Sequence, residues 1–147
     1  MAGIKIKAVN QVKFEQRLKS QGTSINRNIV NAVNAIANAI RNDAVISINQ
    51  NPRAGKTTTR YNPTRTIKIS KEGDAPAGDT GSLASQIYVK IDSGGFGASI
   101  ISNAKYSEAL EFGTIKMGAR PFMQPSAEQN RKKYKARVIK AIKTGLK

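Results

Sequence analysis

The sequence predicts a single α+β domain over residues 1–147, with an antiparallel sheet of about four strands and two helices packed on it. One helix is long and lies in the N-terminal half, and the other is C-terminal. Three observations predict this class: apolar residues recur at helical spacing between residues 25 and 48, two β-rich runs flank a turn near residue 94, and an apolar stripe follows residue 126. A chain of 147 residues fits one compact domain, and it contains no internal repeat.

The long helix is predicted from apolar residues that follow one another in steps of three or four. Ser24 is placed to cap its N-terminus. Asparagine, a poor helix former, occupies much of the opposite side, so burial of the apolar stripe must hold the helix together. The stripe consists of Ile25, Ile29, Val33, Ile36, Ile40, Ala44 and Ile48.

The segment before this helix has a different pattern. Residues 4–8 alternate apolar residues with lysine, which is the period of a half-buried strand. Asn10 then suits the N-cap of a short helix. We expect that helix to continue to about Ser20 and to end at Gly22.

Between residues 50 and 80 the composition shifts to Gly, Pro, Thr, Arg and Lys. Only residues 66–70 have the pattern of a strand. The rest is predicted to be a long, mobile loop. Long loops in compact domains are usually functional or disordered, and this one could become ordered on contact with a neighbouring subunit.

The second half of the chain predicts a hairpin. Residues 86–91 and 98–102 are β-rich, and an Asp/Ser/Gly turn lies between them. Ile87, Val89 and Ile91 point to one face of the predicted sheet.

Two further helices are expected downstream. A short one covers residues 106–112, and the last one begins after Pro125, where Ser126 and Gln129 have the spacing of a capping box. Lysines near its end complement the negative C-terminal end of the helix dipole.

The charge limits the classes of partner. The chain has 25 Lys+Arg against 9 Asp+Glu, a formal net charge of +16, which attracts phosphate backbones, acidic protein faces or anionic lipid. No apolar run is long enough to span a bilayer, and no signal peptide is recognisable at residues 1–7. We therefore expect synthesis in the cytoplasm and no membrane partner.

Catalysis is not predicted. The chain has no histidine and no cysteine, which removes the commonest general base and the commonest thiol nucleophile. Glu108 and Glu111 share a predicted helix face, but such a pair is more simply a solvated one. Ala54, Gly55, Lys56 and Thr57 form half of a phosphate-binding loop without its first glycine or its preceding strand. We expect no enzyme, no cofactor, no metal and no small-molecule substrate.

An ordered set of residues in the second half carries the informative pattern: D-T-G-x-L, then Y-x-x-x-L-E-F-G-T, then A-R-P-F. We call this set the ordered motif. It consists of Asp79, Thr80, Gly81, Leu83, Tyr106, Leu110, Glu111, Phe112, Gly113, Thr114, Ala119, Arg120, Pro121 and Phe122.

The ordered motif resembles the neck and tail-completion family of long-tailed bacteriophages, which includes minor tail proteins of lambda-like phages. The resemblance covers roughly residue 55 to the C-terminus. It implies a virion structural protein without enzymatic activity, which forms an oligomeric ring at the head–tail junction. The implied partners are other copies of the chain, the tail tube or terminator protein and the head connector. It leaves open whether the ring is a neck ring or a tail terminator.

The residues of the motif also suggest local roles. A helix ending at Phe112 could be followed by Gly113 in a left-handed conformation. Phe112 and Phe122 are expected to anchor the turn in the core. Glu111 and Arg120 could pair across the turn, or bridge two subunits.

The basic C-terminal run is the candidate contact for an acidic partner or for DNA in the channel of the ring. The alternative function is that of a basic protein that binds DNA without sequence specificity. The candidate contact residues are Arg131, Lys132, Lys133, Lys135 and Arg137.

Overall fold

The computed structural model describes residues 11–146, apart from the side chains of residues 11–15, 17 and 18. It confirms the predicted class: a single α+β domain with a long N-terminal helix and a C-terminal helix. The elements in chain order are α1 (Gln11–Gln50), β1 (Thr57–Tyr61), β2 (Thr64–Lys68), α2 (Ser82–Ser85), β3 (Ile87–Ile91), β4 (Ala98–Ser102), α3 (Ser107–Phe112) and α4 (Met123–Gly145).

Helices α1 and α4 pack against each other and run in opposite directions. Near one end, the Asn28 side chain donates to the Ala141 carbonyl oxygen at 3.4 Å, and near the other, Asn130 donates to Asp43 at 2.7 Å. Gly145 permits the close approach, because a Cβ atom there would lie 2.6 Å from Cγ1 of Ile25. The two helices therefore form the frame on which the smaller elements are placed.

The hydrophobic core lies where the second half of α1 meets α2, β3 and the start of α4. Its members are buried side chains contributed by segments far apart in sequence, so their burial joins the two halves of the chain. Each fully buried large side chain contributes roughly 1.5–3 kcal/mol. The core consists of Ala44, Ile48, Leu83, Ala84, Ile87, Ala104 and Phe122.

The four strands of the described region form two separate hairpins, so the expectation of one sheet is wrong for these strands. The inner hairpin is β3–β4, paired antiparallel with Ile87 opposite Ser102, and α1 packs against it. The outer hairpin is β1–β2, paired antiparallel with Thr57 opposite Lys68. The strands of the outer hairpin carry mostly Thr and Arg, so they offer no continuous apolar face to pack on the inner one.

The region 50–80 is therefore not a loop with a lone strand. The predicted strand at residues 66–70 overlaps β2, and its partner β1 was not predicted. Beyond β2 the pairing continues at the base of the hairpin, where the Gly55 amide donates to the Ile69 oxygen at 2.8 Å. The Asn62–Pro63 peptide bond at the tip is cis.

Two predicted helix boundaries are also wrong. Helix α1 runs through Gly22, since one glycine in a helix interior costs only about 1 kcal/mol. Helix α4 begins at Met123, so Pro125 lies inside its first turn. A proline is tolerated there because the amides of the first turn have no hydrogen-bond acceptor within the helix. The helix predicted over residues 106–112 is confirmed as α3, whereas residues 4–8 and Asn10 lie outside the described part of the chain.

Candidate functional site

The ordered motif surrounds the N-terminus of α4, and Glu111 is its centre. One carboxylate oxygen of Glu111 accepts from the amides of Phe122 at 2.9 Å and Met123 at 3.1 Å, and the other accepts from Gln124 at 2.8 Å. The first amides of a helix have no partner within the helix and lie at its positive end. Glu111, at the end of α3, is therefore the N-terminal cap of α4, supplied from eleven residues upstream.

The cap differs from the predicted capping box. The Ser126 hydroxyl donates to the Phe122 carbonyl oxygen at 2.7 Å, inside the first turn of α4, and caps no amide. The residue that precedes the helix, Phe122, has no side-chain acceptor of its own. The carboxylate of Glu111 takes the position that a Ser or Asp N-cap would occupy.

Glu111 and Arg120 do not pair, contrary to the expectation. Arg120 is buried and donates to the carbonyl oxygens of Ser70 and Gly118, both at 3.4 Å. Its own amide donates to the Leu110 oxygen at 2.6 Å. The Glu111 carboxylate already accepts from helix amides, so the Arg120 guanidinium donates to backbone carbonyl oxygens. Its bond to Ser70 connects the turn to the end of the outer hairpin.

The two phenylalanines of the motif have opposite environments. Phe122 is 1% exposed and lies in the core, as predicted, whereas Phe112 is 74% exposed. The expectation that Phe112 is a core anchor is wrong, because α3 ends at Phe112 with this side chain directed away from the core cluster. Leu110, partly buried against that cluster, takes its place.

Gly113 follows α3 with φ 77° and ψ 179°, so the expected left-handed C-cap is wrong, although φ is positive. This combination is extended rather than left-handed helical, and glycine adopts it almost exclusively. A Cβ atom would also lie 2.8 Å from the Ala119 nitrogen. The chain then turns back through a bridge in which the Thr114 amide donates to the Met117 oxygen at 2.8 Å.

The other end of the motif connects the outer hairpin to the core. Asp79 accepts from Nη2 of Arg65 at 2.8 Å and lies 3.9 Å from Nε of Arg60. Gly81 precedes α2 with φ 76°, and Leu83 is buried in the core. The two arginines could not be found from sequence because the hairpin that carries them was not predicted.

The remaining members of the motif occupy the surface or its margin. Tyr106 is 46% exposed and borders an open groove shared with Asp79 and Arg60. The hydroxyl of Thr80 accepts from the Ser82 amide at 3.4 Å. Pro121 is half-buried, and the Ala119 oxygen accepts from the Gly73 amide at 2.9 Å.

The basic candidate residues are distributed around α4, and Arg131 lines a pocket with Ile36 and Ile40 of α1. All five are exposed, and within residues 11–146 the ion pairs involve only Asp79. The cluster therefore has no carboxylate partner in the described part of the chain. The exposed residues are Arg131, Lys132, Lys133, Lys135 and Arg137.

A second surface was not predicted: an apolar groove between β4 and the first half of α4, which we call the β4–α4 groove. Eight apolar or aromatic residues line it, together with Glu108, Glu111, Glu128 and Arg131. No sequence signal marks it, because its residues come from four separate elements. The eight residues are Ile36, Ile40, Ile100, Phe112, Phe122, Met123, Ala127 and Tyr134.

No arrangement for metal binding is found in the described region: residues 11–146 contain no group of three or more His, Cys, Asp or Glu side chains that could hold an ion. Both oxygens of Glu111 are engaged by amides. The absence of enzymatic activity stays a prediction from the sequence. Between residues 11 and 146, no helix has the length and apolarity needed to cross a membrane.

Comparisons with known proteins identify no relative. The chain matches no protein-family model, no curated protein and no solved structure.

Proposed function

We propose that this chain is a structural subunit of the head–tail junction of a long-tailed phage, where a ring of copies completes the tail and joins it to the DNA-filled head. The observation that carries the proposal is the ordered motif, D-T-G-x-L followed by L-E-F-G-T and A-R-P-F. The contacts of the motif support it. Glu111, Arg120 and Asp79 are all engaged in holding helices and the outer hairpin in place.

The surfaces of the domain suit an assembly subunit. Within residues 11–146 each hairpin has only two strands, so strand edges are available to neighbouring subunits. Phe112 and Ile115 expose apolar side chains near the end of α3. Contacts of one surface with a different surface of the next copy close into a ring when the rotation between copies permits.

The exposed basic residues of α4 are proposed to meet an acidic face of the tail tube or head connector, or the DNA in the channel. We expect reversal of Arg131, Lys132 and Lys133 to Glu to weaken head–tail joining and to reduce its dependence on salt. The measurement is the fraction of tails joined to heads when purified heads and tails are mixed with the variant protein. Joining at the wild-type level and salt dependence would contradict this role for α4.

The function itself is tested by electron microscopy of lysates from a phage with a nonsense mutation in this gene. DNA-filled heads beside unattached tails of normal length would support a neck or joining role. Unattached tails of irregular, excessive length would support a terminator that stops tube growth. Complete, infectious particles would overturn the proposal.

The second candidate function is DNA binding without sequence specificity, which the exposed, unpaired basic cluster on α4 favours. It predicts sub-micromolar binding to any duplex, lost steeply between low and physiological salt. Binding by wild-type protein that the charge-reversed variant lacks would support this candidate. Undetectable duplex binding at low salt would exclude it.

A further inference from the structure

The outer edge of β4 has no strand partner within residues 11–146, since the inner hairpin contains only β3 and β4. The hydrogen bonds at its two ends, Asp92 to Gly97 and Asn103 to Gln86, fix which backbone groups face outward. In an antiparallel pair the bonded positions alternate, so the amides and carbonyls of Ile100 and Ser102 point away from β3. These groups form a short template for an added strand.

The β4–α4 groove lies beside this edge, and Ile100 and Ser102 both line it. The hydroxyl of Ser102 is buried and has no hydrogen-bond partner. Phe112, the motif residue with no role in the core, is 74% exposed on the same groove. An extended segment placed there would bond the free backbone groups, cover Phe112 and bring polar atoms close to the Ser102 hydroxyl.

The charge of the groove limits what binds in it. Three of the nine carboxylates of the chain line it, Glu108, Glu111 and Glu128, although the chain as a whole carries +16. Arg131 is the one cation of the lining, so the carboxylates outnumber it, and most of the remaining walls are apolar. A fitting occupant is therefore an extended segment that alternates apolar side chains with basic ones.

We propose that the occupant is residues 4–8 of a second copy of this chain, added as a strand to the outer edge of β4. This segment reads Ile-Lys-Ile-Lys-Ala, so one face is apolar and the other basic. Ile4 and Ile6 enter the groove, and Lys5 and Lys7 lie on the other face of the added strand, from which their long side chains extend around its free edge toward the carboxylates of Glu108 and Glu128. The inference deepens the proposed ring by naming the joint between subunits, and rests on that proposal for its place in the virion.

Residues 4–8 are too far from the groove of their own chain to bind in it. Ala8 precedes Gln11, the first described residue of α1, by three residues, which span at most about 11 Å. The groove residues Ile36 and Ile40 lie 25 and 29 residues further along the same helix, or about 37–44 Å at 1.5 Å per residue. The segment therefore reaches only a neighbour, and such a head-to-tail contact is the kind that generates rings.

Disulfide trapping tests the joint, because the chain has no cysteine of its own. Two single variants, Ile6→Cys and Ser102→Cys, are mixed and oxidised. We expect a disulfide-linked dimer, and from the double variant a ladder of linked oligomers. In the matched control, Ile6→Cys is mixed with Tyr88→Cys and not with Ser102→Cys. Tyr88 is exposed, and its side chain points to the opposite face of the inner hairpin. Equal trapping with the control, no trapping, or linkage only within one chain would overturn the proposal.

A charge exchange provides a second test that does not require trapping. The variant with Lys5→Glu and Lys7→Glu is expected to self-associate at least about tenfold more weakly than wild type. Adding Glu108→Lys and Glu128→Lys is expected to restore association. Sedimentation velocity measures both. Association unchanged by the first pair, or unrescued by the second, would overturn the joint.

The two proposals fail in different ways. Rings of wild-type protein in the electron microscope without Ile6–Ser102 trapping would reject this joint and leave the proposed function standing. Specific trapping, together with complete particles from the nonsense phage, would support the joint and reject the function.

Discussion

The inner and outer hairpins have strands of the same length but different support. Ile87 of the inner hairpin is 1% exposed, α1 packs on the sheet, and Arg41 donates to the Ile87 oxygen at 3.1 Å. None of the ten strand residues of the outer hairpin is buried. A two-stranded hairpin is only marginally stable alone in water. The inner hairpin is therefore part of the core, whereas the outer one depends on bonds at its base and on Asp79.

The largest expected effect is at the core of the inner hairpin. Ile87→Ala removes a fully buried side chain, so we expect the free energy of unfolding to fall by about 2–5 kcal/mol. Thermal and urea denaturation measure the change. The matched variant, Ile67→Ala in the outer hairpin, removes a half-buried side chain and is expected to cost less than about 1 kcal/mol. Equal losses would contradict the difference between the hairpins.

An intermediate effect is expected at the cap that fixes α4 beside the inner hairpin. Glu111→Ala leaves three helix amides without their acceptor, so we expect a loss of about 1–2 kcal/mol. Hydrogen exchange should accelerate at Met123 and Gln124 and stay unchanged in the outer hairpin. The control is Glu108→Ala, since Glu108 is an exposed glutamate on α3, the helix that also carries Glu111. We expect it to change the free energy of unfolding by less than about 0.5 kcal/mol.

The smallest effect on stability is expected at Asp79. Its arginine partners are exposed, so Asp79→Asn is expected to cost at most about 1 kcal/mol. The amides of the outer hairpin should nevertheless exchange faster, while those of the inner hairpin keep their rates. High salt should produce a similar change in the wild type, because it screens exposed pairs. Uniform acceleration in both hairpins would show that they unfold together.

Where local pattern and burial agree, the sequence predicts the structure well. Val33, Ile36, Ala44 and Ile48 of the predicted helical stripe are buried along α1, and the hairpin predicted at residues 86–91 and 98–102 is the inner hairpin. Both predictions rest on apolar periodicity, which is the signal that burial imposes on a sequence.

Where long-range contacts decide, the prediction fails. The outer hairpin has no apolar alternation, since no face of it is buried. The cap of α4 comes from Glu111, whereas capping rules consider only residues beside the helix start. Phe112 and Phe122 are alike as residues, and only the packing of α3 and α4 buries one and exposes the other. The β4–α4 groove is invisible in the sequence for the same reason.

The length of α1 has a hydrodynamic consequence. Forty residues of helix span about 60 Å, whereas a compact chain of this size has a radius of gyration of only about 15 Å. Gln21 already lies beside Leu146 at the end of α4, so the helix backbone of residues 11–20 extends past the end of α4. A single copy should diffuse more slowly than a sphere of equal mass, and its rotation should be anisotropic, slowest about axes perpendicular to the long helix.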